Sequence, residues 1–146
     1  MTYPDTSALV KRFVSEVGSG EVQRLVSGGA PVACATIAYA ELYSGLTRRH
    51  REGALSRLQY RLACRHFERD WMAVAKSELN GEILSAARVL IQRHGLRGFD
   101  GIHLASALGL QAAANEPVTF VAADHRLVRA ASDEALATIN PEAARY

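Results

Sequence analysis

Four carboxylates stand where a side chain can leave the fold and do chemistry: Asp5, Glu41, Asp100 and Asp124. Asp5 interrupts YPDTSALVKR after a strand-like start and before an amphipathic stretch, and Asp124 closes the run VTFVAAD. Glu41 falls in the second turn of a helical stretch beginning at about Thr36, and Asp100 in the first turn of FDGIHLASALGLQAA. Brought into one pocket, such acids repel one another and lose hydration, so some would be protonated near neutral pH unless a cation joined them. A hard divalent cation removes that conflict. A few carboxylates without histidine or cysteine ligands suit octahedral Mg²⁺ or Mn²⁺, which keep several waters, better than zinc. Water activated by such an ion can attack a phosphodiester in line.

The acids meet only if the elements carrying them end on one edge. Leu9, Val10, Phe13 and Val14 form one stripe of a helix expected over residues 7–16, with Thr6 or Ser7 as N-cap and Gly18 and Gly20 as its stop. EVQRLVS is a second short helix, GGAP a turn, and PVACAT a short apolar strand. A helix is expected from about Glu52 to Asp70, then WMAVA as a short strand and ILSAARVLIQRHG as a helix closed by Gly95. VTFVAAD is the clearest strand, HRLVRAAS a short helix, and ALATIN an edge strand. This alternation implies an α/β fold with a central, mostly parallel sheet, in which ligands sit beyond the carboxyl ends of the strands.

Composition limits the class of protein. A chain of 146 residues, 49% hydrophobic, suits one domain with its own core. Cys34 and Cys64 have no metal or redox spacing and read as reduced thiols. No apolar run approaches the roughly 18 residues of a membrane span, and the start MTYPD lacks a signal-peptide pattern, so the expectation is a soluble cytoplasmic protein. The net charge of +2 names no partner, but Thr47 to Lys76 holds eight basic residues against three acidic ones. Arg57, Arg61, Arg65 and Arg69 repeat at i, i+4 within it, a stripe fit to touch phosphate or simply a solvated face.

YPDTSALVK, TIAYAEL, DGIHLASAL and VAADHRL, in that order and spacing, resemble the PIN-domain ribonucleases, in particular the VapC-type toxins of bacterial toxin–antitoxin pairs. The resemblance runs from Tyr3 to about Ala131. It implies a single α/β/α domain over 1–146 and a Mg²⁺- or Mn²⁺-dependent endoribonuclease that cuts single-stranded or loop RNA. It further implies a cognate antitoxin that holds the enzyme inactive, and a homodimer. The metal-site acids of the family fall on Asp5, Glu41, Asp100 and Asp124, with the hydroxyls of Thr6 and Ser7 in support. Two departures stand out. Gly101 replaces a more usual alanine and is expected to loosen the turn presenting Asp100, and the chain after Asn140 matches nothing, with a disordered tail expected from about 141.

Other polar residues read more plainly. His103, three residues after Asp100, is expected to make a structural hydrogen bond rather than act as a base. Glu16, Glu78 and Glu82 read as solvated, and Glu41 as a carboxylate among apolar neighbours. The competing function is a nucleic-acid-binding module without turnover. A small-molecule aspartyl-phosphate enzyme ranks lower, because position 7 is Ser where it needs a second aspartate. The segment 55–71 carries two apolar stripes, Leu55, Leu58 and Leu62 against Tyr60, Cys64, Phe67 and Trp71. One is expected to serve the core and the Tyr60–Phe67 side to meet an antitoxin or like subunit.

Overall fold

The computed structural model describes residues 1–143. Five three-residue strands, β1 (Thr2–Pro4), β2 (Ala33–Ala35), β3 (Ala75–Ser77), β4 (Thr119–Val121) and β5 (Ala137–Ile139), carry the fold. β4 lies between β1 and β5, with Phe120 opposite Tyr3 and Thr138, and β2 pairs with β3, Cys34 opposite Lys76. A single parallel bridge, Thr2 to Val32, joins the two groups in the order β3-β2-β1-β4-β5. Every pairing is parallel, so all carboxyl ends share one edge.

Side chains alternate across so short a sheet, and the alternation assigns each residue its layer. Tyr3, Ala33, Ala35 and Phe120 face α5 (Gly81–His94), α6 (Gly98–Ala114) and α7 (His125–Asp133). Tyr3 and Phe120 stack there with ring centroids 5.6 Å apart. Cys34 faces the opposite layer, where it meets α3 (Ala38–Arg51) and α4 (Arg57–Trp71), while Val121 meets α2 (Ser19–Ser27). Both cysteines are free, and burial pushes the Cys34 thiol up to about 12.

Several expectations are corrected. The helix expected over 7–16 is one turn, α1 (Thr6–Leu9), tightened into a 3-10 turn at Val10–Arg12. Asp5, not Thr6 or Ser7, is its N-cap, because both hydroxyls are turned to the carboxylates. The helix expected over 52–70 breaks at Gly53 (φ +81°), and α4 starts after the capping box of Ser56 and Gln59. The strand expected at WMAVA begins only at Ala75, because Trp71 still closes α4. Pro141 is buried and Glu142 pairs with Lys11, so the expected tail is anchored that far, and residues 144–146 lie outside the described residues.

Gly101 does not loosen its helix. Its N–H donates to Arg97 O at 3.0 Å, and a Cβ there would lie 2.5 Å from Ile91 Cγ1. Glycine lets α6 approach α5 closely. The stripes of α4 are also reassigned: Phe67 is 1% exposed and packs with Leu42 and Leu46, and Tyr60 bonds Thr47 and stacks on His50. Leu58 and Leu62 are the exposed pair.

Candidate active site

Asp5 leaves β1 where the sheet ends. Its N–H donates to Val121 O at 2.9 Å, and its side chain bends back to cap α1. Oδ1 accepts from Ala8 N at 2.9 Å and Ser7 Oγ at 2.7 Å, leaving Oδ2 uncommitted among the described residues. Burial pushes the carboxyl up to about 6, against the hydrogen bonds from Ser7 and Ala8, and the negative charge of Asp100 adds to the rise. Asp5 and Asp100 therefore feel one another across the cleft.

Glu41 rises from the first turn of α3 and is half-buried. Its surroundings are polar rather than apolar: Oε1 accepts from Thr6 Oγ1 at 2.8 Å and meets His103 Nε2 at 2.6 Å. The buried Ala38, Leu42 and Leu46 of the same helix pack into the core instead. Burial acts to raise the Glu41 carboxyl, but the hydrogen bonds from His103 and Thr6 outweigh it and hold it below its ordinary value. Asp124 follows β4 and caps α7, its Oδ1 accepting from Leu127 N at 3.0 Å. Asp5 and Glu41 thus each give one oxygen to protein donors and keep the other, whereas both oxygens of Asp124 face protein donors.

A cleft of about 1320 Å³ opens over Asp5, Glu41 and Asp100, with Thr6, Ser7 and His103 on its walls. An adjoining hollow of about 540 Å³ holds Asp124, and Asp100 and Arg97 line both. Arg97 ties the two together: Nε is 3.3 Å from Asp100 Oδ2 and Nη2 3.7 Å from Asp124 Oδ2. A protein cation already occupies the electrostatic position between two of the acids. Among the described residues no three His, Cys, Asp or Glu side chains form a ready-made metal cage. The free oxygens of Asp5 and Glu41 nevertheless fit a hard cation that keeps much of its water and takes only one or two carboxylates directly.

The cleft's cations are not the expected ones. Arg57, Arg61, Arg65 and Arg69 are exposed on α4, and none lines the cleft. Lys11, Arg48, Arg49 and Arg97 line it, and Arg126 lines the adjoining hollow. Glu16, expected in solvent, is half-buried and pairs with Lys11 and Arg49 at 3.2 Å each. Burial works to raise its carboxyl, but Arg49 and Lys11 overcome that and hold it below 4.5. Glu78 and Glu82 are exposed as expected. Helical spacing could have found two of the missed cations, since Arg97 precedes Asp100 by three residues and Arg48 follows Glu41 by two turns.

Residues 2–133 match the family model described as the PIN domain, and the chain belongs to that family. It is 34% identical over 110 residues to Ribonuclease VapC45 of Mycobacterium tuberculosis (strain CDC 1551 / Oshkosh), covering 75% of this chain and 76% of that protein. Ribonuclease VapC47 of the same strain is 30% identical over 149 residues, covering 99% of this chain and 100% of that one. Among solved structures, a toxin-antitoxin complex from Klebsiella pneumoniae aligns with a TM-score of 0.67 at 15% identity, covering 97% of this chain and 98% of that one. At that identity the likeness is one of fold.

Proposed function

We propose that this PIN-domain protein is an endoribonuclease toxin of the VapC type that hydrolyses RNA phosphodiester bonds with Mg²⁺ or Mn²⁺ and is neutralised by a cognate antitoxin. The observation that supports this is that Asp5, Glu41 and Asp100 line one cleft at the carboxyl edge of the parallel sheet, beside a hollow that holds Asp124, with Asp100 lining both. The four acids would hold the ion, one or two of them directly and the others through its waters, while Thr6 and Ser7 fix the carboxylates of Glu41 and Asp5. When bound, the ion supplies Lewis acidity toward the phosphate and eases deprotonation of water. Lys11, Arg48, Arg49, Arg97 and Arg126 flank the acids and offset the repulsion between them and an approaching phosphate. Among the described residues no helix is long and apolar enough to cross a membrane, which is compatible with a cytoplasmic toxin meeting host RNA.

The test is cleavage of host RNA by antitoxin-free protein in Mn²⁺ and in chelator, beside Asp100→Ala. Metal-dependent cuts lost in the variant, with RNA binding kept or tightened by removal of a negative charge, support the reading. Wild type that binds RNA and never cuts it would make the protein a binding module.

A further inference from the structure

Behind Glu41 lies a buried chain of polar groups. The Tyr3 hydroxyl, on β1, accepts the N–H of Ala35 on β2 at 3.0 Å and stands 3.0 Å from His103 Nδ1. The other ring nitrogen of His103 is the one that meets Glu41 Oε1 at 2.6 Å. Tyr3 is 0% exposed and His103 1%, so no water shell competes for these bonds. Packing alone does not require this arrangement, since an edge-on contact of the Tyr3 and His103 rings, centroids 6.0 Å apart, would serve the core without aiming a nitrogen at a cleft carboxylate.

The hydrogens can be counted. An ionised carboxylate only accepts, so Nε2 facing Glu41 must carry a proton. The Tyr3 oxygen already receives the backbone N–H of Ala35 and a hydrogen bond from the buried Ser106, which leaves its own proton for the lone pair on Nδ1. Burial holds the phenol well above its ordinary value of 10, so that proton stays on. Thr6 Oγ1 reaches the same Oε1, but a single hydroxyl rotates and cannot fix a carboxylate by itself. The imidazole wedged on α6 is rigid, and α6 also carries Asp100 one turn earlier.

We propose that Tyr3 locks His103 as its Nε2–H tautomer, and that His103 with Thr6 holds Glu41 Oε1 so that Oε2 alone is offered to the metal. Tyr3 and His103 are then positioning residues that act through Glu41 without touching RNA or metal. One helix aligns two of the acids, Asp100 directly and Glu41 through His103. This rests on the metal-dependent ribonuclease reading.

The experiment has two arms. In ¹⁵N-histidine-labelled, metal-free protein, long-range ¹⁵N–¹H correlation should give His103 a protonated Nε2 and a bare Nδ1, and Tyr3→Phe should produce mixed tautomers. Mn²⁺ binding, followed by electron paramagnetic resonance, should weaken about 10- to 100-fold in His103→Met, as is usual when an outer hydrogen-bond partner is lost. His103→Gln, whose amide N–H can still reach Oε1, should stay within about threefold of wild type, and RNA cleavage by Tyr3→Phe should lose kcat with KM little changed. A doubly protonated or Nδ1–H imidazole overturns the proposal, as do folded Met and Gln variants that bind Mn²⁺ alike. If His103→Met fails to fold, the nearly isosteric Tyr3→Phe decides, and unchanged tautomer and Mn²⁺ affinity there overturn it. Wild type that binds no Mn²⁺ brings down the ribonuclease reading and this proposal together, whereas normal binding by wild type and indifferent variants removes this proposal alone.

Discussion

Asp5→Asn should make the metal-free protein more stable and at the same time abolish its stabilisation by metal. Asparagine keeps an oxygen to cap Ala8 N–H but carries no charge. Asp5 is 4% exposed, and its carboxyl is raised from 3.8 to about 6. Between those values the native chain keeps a proton that the unfolded chain has released, so stability falls as pH rises through that window and the loss is complete above it. The displacement corresponds to about 3 kcal/mol as an upper limit. For a chain of this size it is a gain of about 6–12 °C in Tm for the variant at pH 8 in chelator, shrinking as pH falls through the window and vanishing below 3.8. Mn²⁺ at a hundred times its Kd should then add about 2.7 kcal/mol to wild type and little to the variant. Thermal melts from pH 3.5 to 8, in chelator and in Mn²⁺, read both effects. Melting curves that stay parallel across pH in chelator refute the raised pKa of Asp5, and equal Mn²⁺ gains refute its place in the metal site.

Three further outcomes follow from the packing and the charges. Gly101→Ala should cost about 1–3 kcal/mol of stability despite alanine's helix propensity, because its Cβ meets Ile91, and Ile91→Ala in the same chain should return part of that loss in denaturant titrations. Arg48→Ala with Arg126→Ala, both cleft-side, should weaken RNA binding by an Asp100→Ala background protein and flatten its salt dependence by about 0.7 per lost phosphate contact, whereas Arg61→Ala with Arg65→Ala should change little. A larger loss from the α4 pair would restore that helix as the RNA face. Leu58→Asp with Leu62→Asp should reduce self-association or antitoxin capture in light scattering and pull-down with the circular dichroism spectrum unchanged, while Phe67→Asp should unfold the chain.

Much of this site was readable before any coordinates. Asp5 and Asp124 mark where β-branched or aromatic runs stop, Asp100 marks the start of a long apolar helix, and parallel strands put such ends on one edge whatever the details of packing. Gly95 was legible as a helix stop, whereas the break at Gly53 and the capping box at Ser56 were read through as one helix.

Contacts between distant segments were not legible. Helical periodicity gave α4 two apolar stripes and no means of choosing between them, and the choice went to the side facing Leu42 and Leu46 of α3. The same periodicity marked four arginines on α4, yet the cations at the acids come from the 3-10 turn after α1, from α3 and α7, and from the residue before α6. Glu41 looked like a carboxylate in apolar company until Thr6, 35 residues earlier, and His103, 62 residues later, were brought to its oxygen. Sequence by itself determined which residues could be acids at strand ends, because residue type and local period act within a few positions. Which oxygen of each acid is tied down, and by whom, was decided only by the tertiary structure, because a hydrogen bond depends on ångström-scale approach between groups that the chain keeps far apart until it folds.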